Sequence, residues 1–254
     1  MIIDVHTHYG IIEDKHNMTI EIQLETMYKH KIDYALISNI ECGVYHEGIN
    51  GNLKMLELVS EHREKLGGML WACENMDTSQ RTAFEQMYLE NQDIVKGIKI
   101  HPDISGVRAD DACFDFFYNM AGKYELPVLL HTQDNVYSKV EYVENVAKRF
   151  PHAQLILGHM GTGTDGSRAL EAIREYENLY GDTAWVKLDV VKQAASMGIS
   201  HKMMFGTDNP IGRTNINHID RYAIPIHAEY FSCKEAFMDG VMGSNAKKLF
   251  KIEG

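Results

Sequence analysis

The sequence predicts an α/β chain folded as a (β/α)8 TIM barrel, and three observations carry that prediction. Eight short apolar runs, at 1–8, 33–40, 68–73, 95–101, 127–131, 154–159, 184–189 and 203–208, punctuate the chain. Amphipathic stretches near 19–30, 52–65, 79–91, 111–123, 138–149, 166–178 and 190–198 lie between them and read as helices, the alternation expected of parallel strands joined by helical crossovers. Polar residues collect at the C-terminal ends of the runs, where barrels of this architecture place their chemistry. An open doubly wound sheet is the competing architecture. Its nucleotide-binding versions need a glycine-rich phosphate loop after the first strand, and none is present.

The first run ends in Asp4-Val5-His6-Thr7-His8. Side chains alternate along a strand, so Asp4, His6 and His8 are expected on one face and Ile3, Val5 and Thr7 on the other. At about 3.3 Å per residue the two histidine Cα atoms lie roughly 6.6 Å apart, a spacing that lets two imidazoles reach one metal ion at about 2.0–2.1 Å. The fourth run ends in Lys99 and His101, the fifth in His131 and the sixth in His159. The seventh ends in Lys187 and Asp189, the eighth in Asp208, with Arg213 shortly after it. Ser79, Ser138 and Ser244 are expected as helix N-caps, since a serine hydroxyl accepts from the free amides of a first turn.

Composition limits what the molecule can do. At 254 residues, 44% of them hydrophobic, the chain fits a single domain spanning 1–254 with a large core. A formal charge of −11 argues against nucleic acid or an anionic membrane as partner, because phosphate neutralisation requires clustered Lys and Arg. The four cysteines lie far apart with no CxxC pair, which suits a reducing compartment. Asp4 interrupts the first apolar run and no apolar stretch approaches the length of a membrane span, so a cytoplasmic location is expected.

Five ordered segments resemble the amidohydrolase superfamily, in particular the branch containing the relatives of aminocarboxymuconate-semialdehyde decarboxylase. They are Asp4-Val5-His6-Thr7-His8, Gly97-Ile98-Lys99-Ile100-His101-Pro102, Pro127-Val128-Leu129-Leu130-His131, Gly158-His159-Met160-Gly161 and Phe205-Gly206-Thr207-Asp208-Asn209-Pro210. The tail Asn245-Ala246-Lys247-Lys248-Leu249-Phe250 matches the closing helix of such proteins. The resemblance implies that His6, His8, His131 and Asp208 bind one divalent ion. Zinc is the first choice, and manganese, iron or cobalt accept the same donors. It further implies that His159 orients or deprotonates a water, and that Asp208 carries a proton to the leaving group. In two-metal relatives a fourth-strand lysine becomes carboxylated and bridges the ions; the Lys-x-His-Pro form here looks like the one-metal branch. Lys99, His101, Asp189 and Arg213 are the expected substrate contacts; the alternatives are a structural role for Lys99, an ion pair of Lys187 with Asp189 inside the barrel, and an exposed loop position for Arg213.

A metal-dependent hydrolase acting on a small ester, lactone or amide through an activated water is the leading expectation. The alternative is a non-oxidative decarboxylase of a small unsaturated or aromatic acid, since one metal site serves both chemistries and the fold cannot choose between them. A TatD-like nuclease fits less well, because the Gly-Glu-Ile-Gly segment of that class is absent. A non-enzymatic metal-binding module would leave the surplus of convergent polar residues unexplained. The expected partner is a small molecule, and a homodimer is the expected assembly because barrels of this kind often self-associate.

Overall fold

A computed structural model describes residues 1–12, 16–211 and 220–253. Its strands are β1 (Ile3–Ile12), β2 (His16–Met18), β3 (Tyr34–Asn39), β4 (Leu66–Trp71), β5 (Val95–Ile100), β6 (Val128–Gln133), β7 (Leu155–Thr162), β8 (Leu179–Asp182) and β9 (Met203–Met204). The short β2 folds back antiparallel on the far end of β1. The other eight are parallel and neighbour one another in chain order. Backbone bonds join the last to the first and close the ring. The Val5 amide donates to the Phe205 carbonyl (2.9 Å), Asp208 to His6 (2.8 Å) and His8 to Asn209 (2.9 Å).

Two apolar clusters follow from strand alternation. Ile3, Val5, Leu36, Met69, Leu129, Ile156 and Met204 fill the lower barrel interior, and Ala246, Phe250 and Ile252 of the C-terminal segment plug its base. The opposite strand faces, including Ile37, Leu70, Ile98, Leu130 and Leu157, pack against helix residues such as Met55, Phe84, Phe117, Val143 and Leu170. Fully burying one such side chain contributes about 1.5–3 kcal/mol, so these layers form the rigid frame for what sits above them.

Three expectations from the sequence need correction. The register of β1 against β3 shifts between Asp4 and Thr7. Such an irregularity re-aims side chains, so Asp4 does not share the histidine face and bonds the Thr207 hydroxyl instead (2.5 Å). The seventh barrel strand is Leu179–Asp182, not 184–189; the preceding helix ends at Glu175. The apolar run after β8 crosses the barrel mouth, with Trp185 in the left-handed region (φ 63°). Lys187 and Asp189 consequently stand exposed at the start of the helix Leu188–Ser196. Finally, none of the three serines caps as expected. Asp77 caps the helix Thr78–Glu90 in a reciprocal pair with Gln80, Ser138 is buried and donates to Asp103 (2.7 Å), and Ser244 makes no capping bond.

Candidate active site

Above the apolar layer the interior turns polar, because the residues that point inward near the strand ends are Lys99, His6, His8 and Asp182 rather than aliphatics. All four are buried. Gly158 and Gly206 make room for His6: a Cβ on Gly158 would lie 3.3 Å from His6 Cε1, and one on Gly206 would lie 3.0 Å from His6 Cβ. With Asp208, His101, His131 and His159, the histidines and Lys99 enclose a cavity of about 120 Å³. A wider cavity of about 390 Å³ shares His131, His159, Asp208 and Ile211 with it, and adds Gln133, Thr162, Gly163 and Trp185.

Hydrogen bonds orient each histidine. His6 Nδ1 faces Asp182 Oδ2 at 2.6 Å, so the carboxylate takes that N–H and leaves the lone pair on Nε2, 3.5 Å from Asp208 Oδ1. His8 Nδ1 meets the Ser38 hydroxyl at 2.8 Å, which can donate or accept, and its Nε2 lies 3.1 Å from the same Asp208 oxygen. The other oxygen of Asp182 accepts the backbone amides of His159 (2.8 Å) and Ala184 (3.1 Å). Nδ1 of His159 lies 3.2 Å from the Ala184 carbonyl, which leaves its Nε2 as the proton acceptor. His159, Met160, Trp185 and Asp208 all have φ between 49° and 68°. Non-glycine residues pay for that region in strain, which concentrates at functional sites.

Electrostatics set the charge states. Burial, together with the positive charge of Lys99, holds His6 well below the usual imidazole range, and burial depresses His8, His101 and His159 as well. Burial alone would raise Asp208, but the His8 hydrogen bond and the surrounding imidazoles bring it well below the usual carboxylate range. The site therefore presents neutral imidazoles beside an ionised carboxylate, the protonation state a divalent ion requires. Lys99 is pushed down to about 8 by burial, against the pull of Asp208 and Asp182.

The donors fit such an ion. The ligand atoms of His6, His8 and Asp208 lie within 4.8 Å of one another. Of their approaches to Asp208 Oδ1, 3.1 Å lies within and 3.5 Å just above the roughly 3.0–3.4 Å expected of donors sharing one ion at about 2.1 Å. A second group, His6, His159 and Asp182, has the same closeness, but Asp182 is engaged by His6 Nδ1 and two backbone amides. Lys99 Nζ stands 2.8 Å from His6 Nε2 and competes with a cation for that lone pair.

His131, expected as a ligand, lines the same cavity but falls outside both groups. Its Nε2 turns toward Asp103 (3.3 Å) and Gln133 (3.4 Å), and its ring stacks on His101 at 3.9 Å. Lys99 and His101 line the inner cavity. Asp189 does not, since it stands exposed in the first turn of the helix Leu188–Ser196, and Arg213 lies outside the described residues. Sequence reasoning missed Asp182, Asp103 and Trp185. Asp182 ends a strand of four residues, the shortest run a sequence pattern marks; Asp103 lies in the short helix Pro102–Ser105 and Trp185 on a loop, and only the folded chain brings them to the mouth.

A parallel (β/α)8 barrel whose mouth gathers imidazoles and a carboxylate is the architecture of an enzyme rather than a scaffold. The amidohydrolase family model matches residues 3–252, and the chain belongs to that family. No curated protein matches it. Among solved structures, a manganese-bound 5-carboxyvanillate decarboxylase from Novosphingobium aromaticivorans is similar at 13% identity with a TM-score of 0.74, covering 99% of this chain and 96% of its own. A 2,6-dihydroxybenzoate decarboxylase from Rhizobium gives 14% and 0.72, with 100% and 99% covered. A probable 2-pyrone-4,6-dicarboxylic acid hydrolase from Acinetobacter baumannii gives 13% and 0.67, with 99% of each chain covered. At these identities the likeness is one of fold. Among the described residues no helix is long and apolar enough to cross a membrane.

Proposed function

We propose that this protein is a non-oxidative decarboxylase of a small unsaturated or aromatic carboxylic acid, working with one divalent ion held by His6, His8 and Asp208. The observation that carries the reading is the narrow inner cavity, where these donors and the Lys99 ammonium converge on a space sized for a carboxylate. The outer cavity, walled by Trp185 and Gln133, suits a planar ring. When bound, the ion would supply Lewis-acid polarisation of a substrate oxygen.

Lys99 adds a positive charge at the inner end and draws the anionic substrate in carboxylate first. The bond from the ring carbon to the carboxylate breaks, its electron pair stays on carbon, and carbon dioxide leaves. That carbon then takes a proton. His159, kept neutral by burial and with Nε2 free, accepts a proton from a substrate hydroxyl or a water and returns it at carbon, the relay expected of a positioned imidazole. His101 and His131 form a stacked wall beside it.

Hydrolysis of an ester or lactone, the first expectation from the sequence, stands second. The same His159 could deprotonate a water, and a hydrolase shares the fold, but the aromatic-acid decarboxylases among the similar structures weigh toward carbon dioxide release. Zinc is the first choice of ion, and manganese, iron or cobalt accept the same donors. Incubating the metal-loaded protein with hydroxylated benzoic acids, and in parallel with lactones, tests the proposal. Carbon dioxide and the decarboxylated arene are expected; acid released from lactones with no carbon dioxide would overturn it.

A further inference from the structure

Trp185 lies outside every motif that pointed to the site, yet it is bound into it on three sides. Its indole N–H donates to Asp208 Oδ2 at 2.7 Å, while the near approaches of His6 and His8 are to Oδ1, at 3.5 and 3.1 Å. Its backbone amide meets His227 Nε2 at 3.2 Å, and the other nitrogen of that ring bonds the Arg221 carbonyl at 2.9 Å. The Arg221 guanidinium covers the indole face, with Cζ 3.2 Å from the ring centroid, and its Nε donates to the Thr207 carbonyl at 3.2 Å. Arg221 and His227 are themselves buried. The chain thus closes a loop of contacts from Trp185 through Asp208, Thr207, Arg221 and His227 back to Trp185. Both Trp185 and Asp208 adopt left-handed backbone conformations (φ 63° and 66°), which persist only where surrounding contacts over-determine them.

We propose that Trp185 is a positioning residue for Asp208: its N–H occupies one carboxylate oxygen and so presents the other to His6 and His8. The proposal rests on the reading of His6, His8 and Asp208 as metal donors. A carboxylate free to rotate would offer either oxygen, whereas one pinned at Oδ2 keeps Oδ1 aimed into the inner cavity. Partners that orient a ligand in this way are commonly worth about 10–100-fold in metal affinity.

Mn2+ binding, followed by the loss of its free-ion paramagnetic resonance signal, provides the test. Trp185→Phe keeps an aromatic ring under Arg221 but removes the donor, and Mn2+ affinity is expected to fall about 10–100-fold. The chain contains only two tryptophans, Trp71 and Trp185, so in a Trp71→Phe background a tryptophan analogue enters position 185 alone. Benzothienylalanine, with sulfur in place of the N–H, should reproduce the loss, and 5-fluorotryptophan, which retains the N–H, should restore the affinity of that background. This isosteric pair keeps the wall of the cavity, so a merely structural role would leave both equal, and it decides the matter even if Trp185→Phe fails to fold. Equal Mn2+ affinity for the two analogues overturns the positioning role while leaving the metal donors standing. Absence of Mn2+ binding by the unaltered chain overturns both.

Discussion

The two halves of the barrel mouth use the same residue type in opposite ways. On the β1–β9 side, His6 and His8 have one ring nitrogen engaged, by Asp182 and by Ser38, while the other converges on Asp208 Oδ1 at 3.5 and 3.1 Å. On the β5–β6 side, His101 and His131 stack on each other at 3.9 Å, His101 lies parallel to Trp71 at 5.9 Å, and His131 Nε2 turns outward to Asp103. One half offers donors that could hold a cation, and the other a flat, stacked surface. A histidine at a strand end is therefore not a ligand by position alone; the partner of its second nitrogen decides what the first can do.

The largest expected effect tests the cation side directly. Asp208→Asn removes the shared charged oxygen, and Mn2+ binding should be lost with turnover falling by at least about 10⁴-fold, several kcal/mol of stabilisation at 1.36 kcal/mol per decade. Retained binding, seen by elemental analysis, would dissolve the distinction between the halves. His159→Gln, between the two, should keep its metal and lose about 10²–10⁴ in kcat; a variant that loses metal as well would make His159 a ligand.

Next comes the scaffold behind the cation side. Burial lowers the His227 imidazole to about 4 from an ordinary value near 6.5. A depressed imidazole is neutral when folded but binds a proton when unfolded, so its contribution is present above about 6.5 and is lost as pH falls toward 4. Over that window the loss amounts to about 3 kcal/mol. His227→Gln should flatten the acid limb of a urea-denaturation stability curve between pH 7 and 4, and an unchanged slope would remove His227 from the buried clamp.

The smallest effect probes the stacked side. His131→Ala should weaken Mn2+ binding only about 10-fold, as loss of an outer partner does. Complete loss of bound metal, matching Asp208→Asn, would move His131 into the ligand set and erase the contrast.

Much of this was legible in the chain. Short apolar runs with polar ends marked seven of the eight barrel strands, because a strand buried on both faces must be apolar until it reaches the mouth. That His6, His8, His159 and Asp208 line one cavity could be anticipated, because a His-x-His strand end and polar strand tips are strong local signals. The seventh barrel strand escaped for a local reason. Leu179–Asp182 is four residues long and ends in Gly181-Asp182, while the following Ala184-Trp185-Val186 is more apolar and imitates a strand.

What the sequence determined by itself is the barrel, the family and the kinds of group at its mouth, since periodicity and residue type are properties of neighbours along the chain. Only the tertiary structure decided which nitrogen each histidine presents, that Asp4 bonds Thr207 rather than joining the histidines, and that Trp185 pins Asp208. These depend on partners far apart in sequence, 176 residues for His6 and Asp182 and 203 for Asp4 and Thr207. No local pattern encodes the direction of a hydrogen bond across such a separation; it is set when the ring of strands closes.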